Sequence, residues 1–431
     1  MTSRVAFLFP GQGSYLPGAF AGIGADADRI SARVAEIDAV TAEYQLKPVQ
    51  PLLFSPDAPT LGKLLDAEPE RLDVAILATS LALATLLEDR YGITPDHVIG
   101  HSHGEVAALA AAGVLTPADA VRAVCERYAA LRKAPPPSGG MLAVNTDPAG
   151  AEKLLASVHA DASAVSAHNS PHQTVISGPD ADLAKLQEAA REARIRTSRL
   201  HVPGLFHVPQ LAEAGALYAT AMGDIPMSAP REGFFYSQSL GRHLTADDDV
   251  IGLLVSDMTE PVRFDDAVRA LHAEGVTTFV ECGALDVLTR IVSGFLPSVV
   301  TVAPLREPMA TGDLSARLGP LAAPDAAPSV EQTPSGNAPD EAEAPEADPE
   351  ILEDVRALCA EMLEYPADVV TDDADFQADL GVDSLTMTEL LDRVLQQYGL
   401  GDKFHDANAE IHATVAELAA YVTGLRREQQ R

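Results

Sequence analysis

The chain has 431 residues, 47% of them apolar, enough for two or three folded units with real cores. Its formal net charge of −33, from 63 acidic against 30 basic residues, argues against a nucleic-acid partner and against docking on anionic lipid. Three scattered cysteines, Cys125, Cys282 and Cys359, make neither a disulfide framework nor a metal knuckle and point to a reducing cytoplasm.

In chain order, Arg4 to Phe9 is a short apolar run ended by Pro10-Gly11, which predicts a buried strand and a turn, with no signal-peptide layout ahead of it. Leu81 to Leu87 is the best apolar run; it falls short of the ~20 residues that span a bilayer and predicts one face of an ordinary helix. The protein is therefore expected to be soluble and cytoplasmic. Val98-Ile99 leads into Gly100-His101-Ser102-His103-Gly104-Glu105 and then Ala107 to Ala110, a second strand-turn-helix unit. Strands alternating with helical stretches predict an α/β fold, a hydrolase-like, mainly parallel sheet covered on both faces.

Between residues 138 and 203 the pattern changes. Strands are predicted at Met141 to Val144, Ser163 to Ala167, Gln173 to Ser177 and Arg196 to Val202, with helices at Ala149 to Val158 and Asp182 to Ala193. That β-α-β-β-α-β order predicts an inserted ferredoxin-like subdomain within a first domain of residues 1–320. Residues 321–349 hold six prolines, eight alanines, seven acids and no Lys or Arg, which reads as an extended linker. Residues 350–431 then read as a small all-helical bundle, with helices at Ile351 to Glu364, from Ser384 to Val394, and at Val415 to Leu425.

Two serines stand in reactive contexts. Glycines on either side of Ser102 permit a sharp strand-to-helix turn that exposes the hydroxyl, with a helix N-terminus favouring developing negative charge. Such a nucleophile needs a base. His101 and His103 are too close in chain to reach around, so His207, in Phe206-His207-Val208-Pro209, is the candidate; on the residues alone, satisfying a loop hydrogen bond is its other reading. His97, His101 and His103 span a strand and a tight turn with no carboxylate or cysteine to complete a set, so no metal is expected. Asp383-Ser384 begins a helix and is, at the least, a helix cap.

Phe9-Pro10-Gly11-Gln12-Gly13-Ser14, the Ser102 hexapeptide, Phe206-His207 and Glu260-Pro261-Val262-Arg263-Phe264 occur in the order found in a known family. They resemble the acyltransferase domains of polyketide synthases and the malonyl-CoA:ACP transacylases. The resemblance covers residues 4 to about 310. It implies that Ser102 is the acylated nucleophile, His207 its general base, and the backbone N–H groups of Gln12 and His103 an oxyanion hole, each donor worth roughly 3 kcal/mol. It implies that a main-chain carbonyl at Asp257 orients the histidine. Arg127 matches the arginine that grips the carboxylate of malonyl-type substrates, a two-pronged contact that lysine cannot reproduce. Phe206 matches the aromatic that goes with malonyl rather than α-branched units.

Several positions depart from the family pattern, and His103 occupies the variable position of the elbow. Asp73 stands where a glutamine is usual; an anion there repels a malonate carboxylate, pairs with Arg127, or attracts an amino or hydroxyl substituent. Tyr128 replaces a glycine, and Glu281-Cys282-Gly283-Ala284 replaces the common Glu-Val-Gly-Pro.

Asp375 to Leu385 resembles the modification motif of acyl carrier proteins, which implies a 4′-phosphopantetheine arm on Ser384. The 18 acids against 6 bases in residues 350–431 give partners a charged handle. Together the resemblances imply a ping-pong acyltransferase that moves a malonyl-type group from acyl-CoA to its own or a separate carrier. The implied partners are a polyketide synthase ketosynthase and a phosphopantetheinyl transferase. The rival readings are an editing hydrolase, which the Arg127 clamp disfavours, and a transferase for an unusual amino- or hydroxy-substituted or carrier-bound acyl unit.

Overall fold

The computed structural model describes residues 4–308, 314–322, 348–362, 370–372, 376, 384–400 and 414–429. It divides into two compact units, Met1–Ala327 and Pro328–Arg431. Residues 323–347, the bulk of the predicted linker, lie outside the described residues.

In the first unit the strands run β1 (Arg4–Phe9), β2 (His97–Gly100), β3 (Gly140–Val144), β4 (Ala164–Ser170), β5 (Gln173–Gly178) and β6 (Thr197–Leu200). They continue with β7 (Tyr236–Ser237), β8 (Arg242–His243), β9 (Val262–Arg263), β10 (Val276–Glu281) and β11 (Val300–Val302). The main sheet has the order β11-β10-β1-β2, and all its pairings are parallel. Its inner strands are buried on both faces, as β1 shows: Ala6, Phe7, Leu8 and Phe9 are all fully inaccessible. A parallel sheet covered by helices requires such unbroken apolar runs, which is why the alternation that marks half-exposed strands is missing here.

The helix expected around Leu81 to Leu87 is part of Pro69–Tyr91, which is buried beyond the one face that the apolar run suggested. Its residues from Glu70 to Ala84 are all buried, packed between the helices Ala27–Thr41, Leu61–Ala67, Gly104–Ala111 and Pro117–Lys133. Apolar residues around the whole circumference suit a helix enclosed on every side. That enclosure carries Asp73 into the interior.

The inserted segment forms a second sheet of order β6-β3-β5-β4-β9. Within the insertion, β3 pairs antiparallel with β5 and β6, and β4 pairs antiparallel with β5, the strand order of a split β-α-β unit. Its fifth strand comes from outside: β9 pairs parallel with β4 through Ala167 and Val262. Only two residues long, β9 carries no periodicity that a sequence reading could detect, yet it anchors the insertion to the segment just after Asp257.

In the second unit the described residues include the helices Pro349–Met362, Ser384–Gln397 and Val415–Gln429. Ile351, Val355 and Cys359 from the first pack with Leu390, Val394 and Leu395 from the second and Val415, Leu418 and Val422 from the third around Phe376. No helix among the described residues is long and apolar enough to cross a membrane.

Candidate active site

Ser102 sits where β2 turns into the helix Gly104–Ala111, in the left-handed region at φ +54°. The turn closes through Gly104 N–H donating to His101 O at 3.0 Å and Glu105 N–H donating to Ser102 O at 2.8 Å. Its flanking glycines are sterically required. A Cβ on Gly100 would lie 2.3 Å from Glu105 Cα, and one on Gly104 would lie 1.9 Å from Phe9 O. The serine is thus held in a strained elbow that presents its hydroxyl at the carboxyl end of the strand.

The base arrives from a distant loop. His207 Nε2 lies 2.7 Å from Ser102 Oγ, and His207, also at positive φ (+59°), is 5% exposed. Val208 N–H donates to Met258 O at 3.3 Å, which fastens this loop to the end of the helix Val250–Thr259. His207 Nδ1 makes no hydrogen bond of good geometry, though the Asp257 backbone supports the basicity of the ring. Burial dominates, with the Arg127 charge adding to it, and lowers His207 to about 4. The ring is therefore neutral near pH 7, able to take a proton.

Gln12, Ser102, His103, Arg127, Phe206, His207 and Asp257 line one cleft together with Met258. The loop carrying Gln12 is pinned by Ser14, whose Oγ donates to Gly11 O at 2.7 Å. Arg127 projects from the helix Pro117–Lys133, which starts on Thr116 accepting from Asp119 N–H with Pro117 in its first turn.

Asp73 stands behind the cleft, fully buried, at the centre of a polar knot. Its Oδ2 accepts from Arg127 Nη2 at 2.7 Å and from the Tyr128 hydroxyl at 3.0 Å, and the Gln12 side-chain amide donates to both carboxylate oxygens at 3.1 Å. His103 completes the knot: Arg127 Nη2 donates to its Nδ1 at 2.9 Å, and its Nε2–H donates to Asp73 O at 2.9 Å. That pattern requires the neutral Nε2–H tautomer, and burial accordingly lowers its pKa. Burial also opposes the Arg127 charge, but Asp73, Tyr128 and Asp257 together more than offset it, so the guanidinium is a firm cation. Its Nε has no hydrogen-bond partner.

A second buried carboxyl was not singled out in the sequence. Glu105 is 3% exposed, with Oε1 unpartnered. Burial and the proximity of Asp257 push its pKa well above the carboxylate range; burial raises Asp257 as well, with Arg127, His103 and His101 pulling it back. His101 turns away from the serine, its Nε2 2.9 Å from Asn169 Oδ1 on β4. In the second unit, Ser384 is the first residue of its helix; Asp375 and residues 377–383, most of the predicted modification motif, lie outside the described residues.

Comparison with known proteins follows the same division. Residues 6–318 match a family described as the acyl transferase domain, and residues 353–422 match one described as a phosphopantetheine attachment site. A spectinabilin polyketide synthase system protein of Streptomyces orinoci is 34% identical over 317 residues, covering 70% of this chain but only 8% of that protein. The malonyl CoA-acyl carrier protein transacylase of Bacillus subtilis is 31% identical over 314 residues, 70% of this chain and 93% of its own length. Among solved structures, a loading acyltransferase from the avermectin modular polyketide synthase is 30% identical with a TM-score of 0.63, over 74% of this chain and 98% of that one. The acyltransferase domain from the second module of the salinomycin polyketide synthase is also 30% identical, with a TM-score of 0.61 over 72% and 71% of the two chains.

Proposed function

The chain belongs to the acyl transferase family and carries a phosphopantetheine-attachment domain behind it, and from that premise we propose that it moves a malonyl-type acyl group from CoA to a carrier through an ester on Ser102. The observation that carries this reading is the 2.7 Å contact between Ser102 Oγ and a neutral, buried His207.

His207 Nε2 takes the proton as Ser102 Oγ attacks the thioester carbonyl carbon. Backbone N–H groups of Gln12 and His103 receive the oxyanion, each worth roughly 3 kcal/mol in the transition state. The C–S bond then breaks, and His207 returns its proton to the departing CoA sulfur. When bound to the carrier, the 4′-phosphopantetheine arm supplies a thiol to accept the acyl group. Ser384, at the first position of its helix, is the residue that would hold it. In the second half-reaction His207 takes the proton of the incoming thiol and gives it to Ser102 Oγ as the ester breaks. The Asp257 carbonyl, on the Nδ1 side of the ring, would tighten to a hydrogen bond as His207 takes the proton.

Arg127 lines the cleft as a cation, which supports a substrate that bears a carboxylate, and Phe206 beside His207 limits space for an α-branch. A second reading has its own observation. Asp73 already engages Arg127 at 2.7 Å, so the clamp is partly neutralised, which favours an acyl group with an amino or hydroxyl substituent.

The test exposes the protein to malonyl-, methylmalonyl-, acetyl-, aminoacyl- and hydroxyacyl-CoA and follows CoA release and the mass on Ser102. A malonyl ester that transfers to carrier is expected. Exclusive acylation by amino- or hydroxy-substituted units would establish the second reading, and an ester that passes only to water would make the protein a hydrolase.

A further inference from the structure

His97 opens β2 five residues before Ser102, and the chain brings two distant residues against it. Among the described residues, His97, His243 and Glu274 are a group whose donor atoms all lie within 4.8 Å of one another. The two imidazoles stack at 4.9 Å with an interplanar angle of 30°, and His243 Nε2 lies 2.8 Å from Glu274 Oε2.

We propose that His97, His243 and Glu274 form a binding site for one zinc ion, with water completing its coordination. The donor set, two imidazoles and a carboxylate, suits zinc, whose structural and catalytic sites draw on those ligands.

The state of His97 carries the inference. Its Nδ1–H donates to the Gly233 carbonyl at 2.8 Å, which fixes the tautomer and leaves the Nε2 lone pair free. Nε2 is buried without any partner, on a residue only 3% exposed. A buried, unpaired acceptor is costly unless something occupies it. A ring whose other N–H is held by a backbone carbonyl is also the arrangement that metal-bound histidines adopt.

The cation would replace the proton shared by His243 and Glu274. Zinc bonds of about 2.0–2.2 Å place donors roughly 3.3–3.6 Å apart, so His97 must draw in by about 1 Å, the 2.8 Å His243–Glu274 pair must open to that spacing, and the stacked rings must turn so that both lone pairs meet the ion. Glu274 and His243 have freedom to do so, their side chains being 39% and 21% exposed, and that exposure gives the ion a way in. Arg4 is the opposing charge. Its Nη1 donates to the Glu274 carbonyl at 2.8 Å, and Asp96, 4.0 Å from its Nε, offsets it in part. The ion would tie together the start of β2, the strand β8 and the turn before β10. Its role is thus a staple for the sheet whose other end carries Ser102.

The full chain, stripped with chelator, is titrated with zinc chloride by calorimetry and with cobalt(II) by visible absorption. One zinc per chain is expected, with a Kd of about 10 µM or tighter and cobalt bands of tetrahedral type. A 100-fold excess of zinc over that Kd should raise the melting midpoint by about 3–5 °C. His97→Ala and Glu274→Gln should each weaken binding at least tenfold, while His172→Ala, at an exposed histidine elsewhere, should not. Glu274 is partly exposed, so its variant keeps the test valid if His97→Ala fails to fold. Absence of saturable binding, or equal binding by wild type and Glu274→Gln, overturns the proposal.

Discussion

His207 concentrates the chemistry of the site in one nitrogen, and its environment decides when that nitrogen is available. With its pKa lowered from 6.5 to about 4, acyl-enzyme formation should stay flat from pH 8 down to about 5.5 and fall with a midpoint near 4. A midpoint at 6.5 or above in the pH profile of kcat/KM would refute the buried, neutral base. The same shift has a stability consequence. The folded pKa lies below that of the unfolded chain, so the unfolded state binds the proton first, and stability is lost as pH falls from 6.5 towards 4. Asp73 and Tyr128 show what single positions conceal. In the sequence they are two separate departures from a family pattern; in the structure the hydroxyl of one donates to the carboxylate of the other at 3.0 Å, beside Arg127. Asp73→Gln removes the anion that competes for Arg127 and should lower KM for malonyl-CoA by about tenfold, equivalent to one charge-assisted contact, with little change for acetyl-CoA. Parallel steady-state kinetics on both substrates would check this, and an equal change for the two would show that Asp73 does not act on the carboxylate.

At the scale of elements, the elbow was legible because it is local: an apolar run, two glycines around a serine and a helix-forming stretch follow directly in the chain. Its steric logic is severe. Gly104→Ala drives a Cβ into Phe9 O, which in a packed interior should cost about 3 kcal/mol or more and displace Ser102. Thermal denaturation and the acyl-enzyme burst should both register it; an unchanged melting point with full activity would mean that the β1–helix approach is looser than described. The insertion was readable for a similar reason, since strands and helices alternate there with clear periods. The helix around Leu81 to Leu87 was legible as a helix, but its enclosure was not, because burial on all sides erases the amphipathic stripe that ties a helix to a surface. Strand β9 escaped notice because two residues hold no period, and the His97–His243–Glu274 cluster because its members are spread along the chain and meet only through the fold.

For the whole molecule, composition told two regions apart through an acidic, proline- and alanine-rich stretch, and matches to two families fall on either side of it. What the sequence could not order was the polar knot behind the cleft, since which of three outcomes Asp73 takes depends on where two helices place it. The central claim is that a single hydroxyl, Ser102, relays the acyl group to the carrier. It is tested most directly by intact mass of the phosphopantetheinylated full chain after exposure to malonyl-CoA, comparing wild type, Ser102→Ala and Ser384→Ala. The account predicts acyl mass on the carrier region of wild type, none there in Ser102→Ala, and acyl mass confined to Ser102 in Ser384→Ala. Loading of the carrier in Ser102→Ala at the wild-type rate would contradict it.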